Sequence, residues 1–305
     1  MTGTGSALLT SIARLAHFTK VMYKPHYLLY AIVWVLALEG TAAVLAQPDT
    51  AWRPTGATAL RIVVVAITLL YLRMVDEQKD LDYDRVQHPD RPLVTGAVSA
   101  AELRAAMAVL AIAAMAISLS FSARSAVLIA AVLAYALLLW GAEQRSNALR
   151  ANVLLNLAIT YPIQFLVISY VVVSAADTGE LRLEWRTAAV ALISTGVFLH
   201  FEIARKTTRD PRPGELLYSN ALGPTGSALA VLLLAGFAVA SYIVLVRPLA
   251  TGSLAWIAVA LMLLPAAATW RFARSSRPEY PVLPAVAFTL LFYLTLIAQA
   301  LSPST

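Results

Sequence analysis

Nine apolar runs lie near residues 26–46, 57–76, 99–120, 124–142, 151–173, 187–206, 224–247, 252–271 and 282–301 of a 305-residue chain. Each is on the order of the 20 residues that a helix needs to cross a bilayer. Inside lipid a spanning segment must satisfy its own backbone N–H and C=O groups, which leaves helices or closed barrels. The runs are continuous and lack the alternation of barrel strands. The fold class predicted is therefore all-α: a polytopic membrane protein with nine transmembrane helices around a central cavity. With 60% hydrophobic and 13% charged residues, the chain is not an ordinary soluble domain. No long polar stretch could fold separately, so residues 1–305 are expected to form one integral membrane domain. Pro248 and Gly252 punctuate the seventh and eighth runs, and Pro281 and Pro284 open the ninth. Within residues 1–25, Leu8, Leu9, Ile12, Leu15 and Ala16 recur at helical spacing beside Arg14 and Lys20. That pattern reads as an interfacial amphipathic helix rather than a cleaved signal peptide.

The basic residues fix an expected orientation. With the N-terminus in the cytoplasm, sixteen Lys and Arg residues fall on the inner side and six on the outer side, as the positive-inside rule requires. The polar loops 77–98 and 205–223 then both face the cytoplasm, and the site is expected there, in a multi-pass protein of the cell membrane. The net charge of +6 is scattered among short loops and forms no continuous stripe, so no nucleic-acid partner is expected. Cysteine is absent, which removes disulfides and thiolate chemistry.

The second run ends in Asp76-Glu77-Gln78-Lys79-Asp80-Leu81-Asp82-Tyr83-Asp84. Asp76, Asp80 and Asp84 are spaced i, i+4, i+8 and form a row on one side of a helix, drifting by roughly 80° over two turns. Three carboxylates at the mouth of a bundle repel one another unless a cation sits among them. Hard oxygen ligands suit Mg²⁺, which takes one or two carboxylates, waters and substrate phosphates. The row thus points to chemistry on a diphosphate; a solvated, self-neutralising loop is the plainer reading for Asp82 and Asp90. Downstream, Arg85 and Arg91 offer forked donors that match phosphate oxygens.

A second charged cluster, His200-Phe201-Glu202-Ile203-Ala204-Arg205-Lys206-Thr207-Thr208-Arg209-Asp210, closes the sixth run. Its bases outnumber its acids, so it suits an anion, or simply anchors the helix on the inner side. Glu202 either completes a metal shell or pairs with Arg205 or Lys206. Asn152, Asn156, Thr160 and Gln164 recur every four residues on the fifth run, as a cavity lining or as interhelical hydrogen-bond glue. Glu39 and Arg61, at comparable depth in the first two runs, are expected to form a structural ion pair. Tyr71, Tyr161 and Tyr218 are candidate cavity aromatics, able to face a carbocation, although tyrosine is equally common at membrane interfaces.

The first segment resembles the signature of the UbiA superfamily of intramembrane prenyltransferases. Asp76 falls at the Asn of that signature, Glu77 at the paired Asp, and Asp80 and Asp84 at its later two Asp positions. Arg91-Pro92-Leu93 and Gly96 match its tail. The second motif of the family normally carries Asp residues about four apart; here only Glu202 stands in a matching place, followed by Arg205 and Lys206.

The resemblance implies Mg²⁺-dependent transfer of a prenyl group from an allylic prenyl diphosphate to an aromatic or lipid-like acceptor, with release of pyrophosphate. Asp76, Glu77, Asp80 and Asp84 would hold the metal, and Glu202 would support them. Arg91, Arg145, Arg205, Lys206 and Arg209 would bind diphosphate. A terpene cyclase of the same superfamily, needing no acceptor, is the first alternative, and a cation-coupled transporter the second. Prenyl chain length, acceptor and oligomeric state are not readable from the residues.

Overall fold

A computed structural model describes residues 2–212, 215–247 and 254–302. Pro248 and Gly252 lie outside the described residues, as does the start of the eighth run. The helices are α1 Thr2–Met22, α2 Pro25–Ala46, α3 Gly56–Lys79, α4 Leu81–Gln87, α5 Ala100–Phe121, α6 Ala123–Arg145, α7 Asn147–Ala151, α8 Val153–Thr160, α9 Pro162–Asp177, α10 Trp185–Ala188, α11 Val190–Arg205, α12 Tyr218–Val246, α13 Leu254–Leu261, α14 Leu263–Arg274 and α15 Val282–Leu301. Among the described residues, nine helical stretches are long and apolar enough to cross a membrane, one for each run. The protein is a multi-pass membrane protein.

Local chemistry explains the boundaries. Thr55 caps α3 by accepting from the N–H groups of Ala57 and Thr58, while the Thr58 hydroxyl accepts from Thr55 N–H at 3.0 Å. Ser99 and Glu102 cap α5 in the same reciprocal way. Pro25 opens α2, where its missing N–H costs nothing. Among the described residues four spans are broken rather than continuous, the eighth at Met262 between α13 and α14. The fifth is in pieces: Asn152 caps α8 through the N–H groups of Leu154 and Leu155, and Pro162 starts α9 one residue after Thr160–Tyr161. In the seventh, Gly223 takes a left-handed φ of 70° before Pro224, a step that only glycine makes without strain. The sixth is divided at Ala189.

α2 is central and packs on α3, α9, α10, α11, α12 and α15. On one side α3 meets α5 and α6, and α6 meets α9; on the other, α11 pairs closely with α12, and α14 and α15 lead back to α2. Trp34 of α2 is fully buried and donates its indole N–H to Ser194 of α11 at 3.0 Å. At one end of the bundle, the expected pair of Glu39 and Arg61 is wholly buried. Thr58, Trp52 and Thr178 complete its hydrogen bonds, and Glu180 lies 3.1 Å from the same guanidinium. Buried charges survive only with such partners.

α1 lies against α5, where Arg14 and Ser11 both reach Glu102, and Phe18 is fully buried. Leu8, Leu9 and Ile12 point away from the protein.

One close helix approach has a testable cost. A Cβ on Gly196 of α11 would lie 2.8 Å from both the backbone N and the Cβ of Ala238 on α12. Gly196→Ala is expected to force the two helices apart and destabilise by about 1–3 kcal/mol. Gly236→Ala, whose Cβ would meet nothing nearer than 3.8 Å, is expected to be neutral or to stabilise by about 0.5–1 kcal/mol. Thermal unfolding in detergent measures both.

Candidate active site

α3 carries the acidic motif to its end, and Asp80 serves as both the C-cap of α3 and the N-cap of α4. The chain turns slightly there, with ψ at 10° instead of a helical value. This turn, added to the drift of an i, i+4, i+8 row, splits the expected line of three aspartates. Asp76 and Asp80 stay open, with side chains 52% and 41% exposed, whereas Asp84 is turned inward and is 2% exposed.

The inward acids have their own bases. Arg91 binds Asp84 and reaches Glu77 at 3.2 Å, while Arg73 binds Glu77 from one turn earlier on α3. Glu77 and Asp84, both expected to hold the metal, are thus occupied by arginines, and Arg91, expected on the diphosphate, is occupied by them. Burial raises the Asp84 carboxyl above the usual range, against the pull of Arg91. Among the described residues no group of three His, Cys, Asp or Glu side chains is gathered as a metal-binding set.

The outward acids meet two residues that the sequence reading passed over. Lys79 points its ammonium at Glu143 of α6, 3.0 Å and 3.2 Å from the two carboxylate oxygens. The same nitrogen is 3.4 Å from Asp80 and 3.9 Å from Asp76. Asn156 of α8 donates to Glu143 at 3.0 Å. The charges of this whole cluster do not cancel. Asp76, Glu77, Asp80, Asp84 and Glu143 share only Arg73, Lys79 and Arg91, which leaves two negative charges uncompensated at the open side.

The second cluster has the opposite balance. Glu202 pairs with both Arg205, at 2.5 Å, and Lys206, at 2.9 Å, so the expectation of pairing is the one the geometry follows. Lys206 also stands over the Tyr218 ring, 5.8 Å from its centroid, and Tyr218 is buried. The adjoining loop is tied down by an antiparallel bridge between Thr208 and Glu279 and by Arg209 N–H donating to Pro278 O at 2.6 Å. The Arg209 guanidinium lies on the Phe272 ring and bonds the Phe272 carbonyl, which commits it to the end of α14.

The two clusters belong to one face of the bundle. Partial desolvation, followed by the carboxylates of Glu215, Asp84 and Asp80, pushes up the Tyr83 phenol, so Glu215 lies near α4. Arg145 is exposed at the end of α6 and bonds back to Gly141 O at 3.0 Å.

The remaining candidates disperse. Asn152 is spent as a helix cap, Asn156 braces Glu143, and Gln164 follows the Pro162 break in a partly buried position. Tyr161 donates to Thr195 at 2.7 Å and packs edge-on to Phe165. Tyr71, expected in the cavity, is instead buried among Phe18, Met74, Leu103 and Met107 between α1, α3 and α5. Lys79 was visible only as the base inside the acidic motif and Glu143 only as a lone charge at the end of the fourth run, and their 64-residue separation hides the pairing.

Removing Arg91 tests the inward network. Arg91→Met leaves Asp84 without a base and Glu77 with Arg73 alone, and is expected to destabilise by about 1–3 kcal/mol. Arg91→Met combined with Asp84→Asn is expected to recover part of that loss. Thermal unfolding of the three proteins in detergent measures the coupling.

No protein-family model and no curated protein matches this sequence. Solved structures do match its fold. A UbiA homolog from Aeropyrum pernix K1, in its apo form, superposes with a TM-score of 0.62 at 22% identity, over 88% of this chain and 96% of that one. Digeranylgeranylglyceryl phosphate synthase superposes with a TM-score of 0.62 at 13% identity, covering 95% and 99%. A UbiA homolog from Archaeoglobus fulgidus, bound to GPP and Mg²⁺, gives a TM-score of 0.55 at 12% identity, over 93% and 97%. The chain has the fold of these UbiA homologs along nearly its whole length.

Proposed function

We propose that this protein is a magnesium-dependent prenyltransferase that takes an allylic prenyl diphosphate and passes its isoprenoid to an acceptor, releasing pyrophosphate. One observation carries the reading. On a frame shared with a homolog that holds GPP and Mg²⁺, Asp76, Asp80 and Glu143 share one base, Lys79, and the two aspartates are the half-exposed members of that −2 group.

The donor set fits such a cation. Asp76 and Asp80 offer hard oxygens from one helix end, and no base lies closer to them than 3.4 Å. Mg²⁺ is ordinarily held by one or two carboxylates, with waters and substrate phosphates completing its octahedron. A magnesium ion bound there would act as a Lewis acid on the diphosphate oxygens. Asp76 and Asp80 would hold it. Glu77 and Asp84, held by Arg73 and Arg91, would keep α4 and the 88–98 segment in place beneath the site.

The chain's own cations share the charge of the leaving group. Lys206 and Arg205 share one acid, Glu202, so one positive charge of that cluster is left for an anion. Arg145, at the end of α6, has no carboxylate partner among the described residues. Such fixed donors stabilise a departing diphosphate without reorganising. As the allylic C–O bond breaks, its electron pair leaves with the pyrophosphate. The acceptor then supplies the electron pair for the new bond to carbon and loses a proton.

In this reading residues 1–305 act as one membrane domain, with the N-terminus and the motif face on the cytoplasmic side, where the excess of Lys and Arg lies. The diphosphate and Mg²⁺ would be met there, and the prenyl tail and a lipid-soluble acceptor would arrive from the bilayer.

The test is turnover by purified protein given a panel of allylic diphosphates, with and without lipid extract, followed by mass analysis. Pyrophosphate release that needs Mg²⁺ and yields a prenylated lipid is expected. Asp76→Asn and Asp80→Asn are each expected to lower the single-turnover rate by at least about 100-fold, the scale of losing one positioned electrostatic group. Hydrocarbon or terpene alcohol from the diphosphate alone would identify a cyclase, and wild-type rates in both variants would remove the site.

A further inference from the structure

Lys79 is placed where it competes with the divalent cation. It sits in the middle of the acidic motif, and its ammonium lies within 3.9 Å of both open aspartates. Left to itself, a flexible four-carbon ammonium beside two carboxylates would settle between them and neutralise half of the charge that attracts Mg²⁺. The structure shows it drawn to one side. Glu143 engages it through both carboxylate oxygens at 3.0 Å and 3.2 Å, nearer than either aspartate.

Glu143 is well built for this hold. Its side chain is 3% exposed, so its attraction is little screened, and Lys79 is 13% exposed. The Asn156 amide fixes Glu143 from α8 at 3.0 Å, and Arg150 of α7 grips the Glu143 backbone carbonyl at 2.9 Å. Three elements outside the acidic motif therefore set the position of one lysine inside it.

We infer that Glu143 is a positioning residue that holds the Lys79 ammonium off Asp76 and Asp80, so that these two carboxylates are left for a divalent cation and Lys79 stays beside it as a fixed charge for the substrate's phosphate. This rests on Asp76 and Asp80 being the cation seat. Two consequences have opposite signs. Without Glu143, Lys79 turns onto the aspartates and the seat closes. Without Lys79 as well, nothing competes and the seat reopens.

The experiment is Mn²⁺ titration of purified protein in detergent, read by electron paramagnetic resonance with no substrate present, so it reports binding and not turnover. Glu143→Gln is expected to weaken Mn²⁺ binding by about tenfold or more, the scale of one added unit charge a few ångströms away. Lys79→Met combined with Glu143→Gln is expected to restore the wild-type affinity or exceed it. If the loss persists in the double variant, Glu143 is itself a ligand and the inference is overturned. An unchanged affinity in Glu143→Gln overturns it too. Asp76→Asn combined with Asp80→Asn is the control. If wild type binds no more Mn²⁺ than this control, the seat itself is misplaced, an outcome distinct from the failure of Lys79 positioning.

Discussion

A charge buried near or inside a bilayer must find its counter-charge within the protein, and this condition shapes both ends of α3. Desolvating an ion costs several kcal/mol even after relaxation. The fold answers that cost pair by pair. Arg61 and Glu39 are fully buried together at one end of α3. At its other end Glu77 is covered by Arg73 and Arg91, Asp84 by Arg91, and Glu143 by Lys79. Against this background, two aspartates left open and under-compensated stand out as the exception. Within the acidic motif, whose other charges are paired, that residual negative charge is what the proposed cation site rests on.

α3 transmits the constraint between the two ends. Its Thr55 cap and the Arg61 cluster pin one terminus to α2 and to the loop after α9. Its buried Tyr71, Met74 and Val75 then lock the last turns against α1, α5 and α6. The aspartates thus emerge from a helix held on both faces, and side chains on rigid elements keep their spacing better than those on loops. The Glu202 cluster is fixed by other means: its loop is tied to residues 278–280 by backbone hydrogen bonds. The two halves of the site are therefore built from different materials, a packed helix end and a strapped loop.

How much of this could be read from the residues depends on the range of the interaction. Helix number and limits followed from continuous apolar runs, because lipid forces each run to satisfy its own backbone. The pairing of Glu39 with Arg61 was legible because equal depth on adjacent helices brings such charges together. The break at Asn152 was not legible, since its polar residues read equally as a cavity lining, and the turn of α12 before Gly223 lay outside the run read from 224. The acidic row was half legible. Spacing put three aspartates on one side, but the turn at Asp80 and the pull of Arg91 carried Asp84 inward. The partnership of Lys79 with Glu143 joins α3 to α6 and has no local signature.

The two charged clusters share a device that their sequences express differently. In the first, a lysine lies among acids and a remote glutamate restrains it; in the second, an arginine and a lysine lie around an acid. In both, basic side chains are held in place by a carboxylate, Glu143 for Lys79 and Glu202 for Arg205 and Lys206. Fixed cations differ from bound metals in one respect that matters for ionisation. They need not be recruited from solution or stripped of water, so part of the leaving-group charge is already balanced before the substrate arrives. The departure of Glu202-Arg205-Lys206 from an aspartate-rich second motif then has a physical sense. In the proposed reading, positive charge that would otherwise be recruited as a metal is built into the side chains, and Asp76 and Asp80 are the carboxylates left open to a divalent ion.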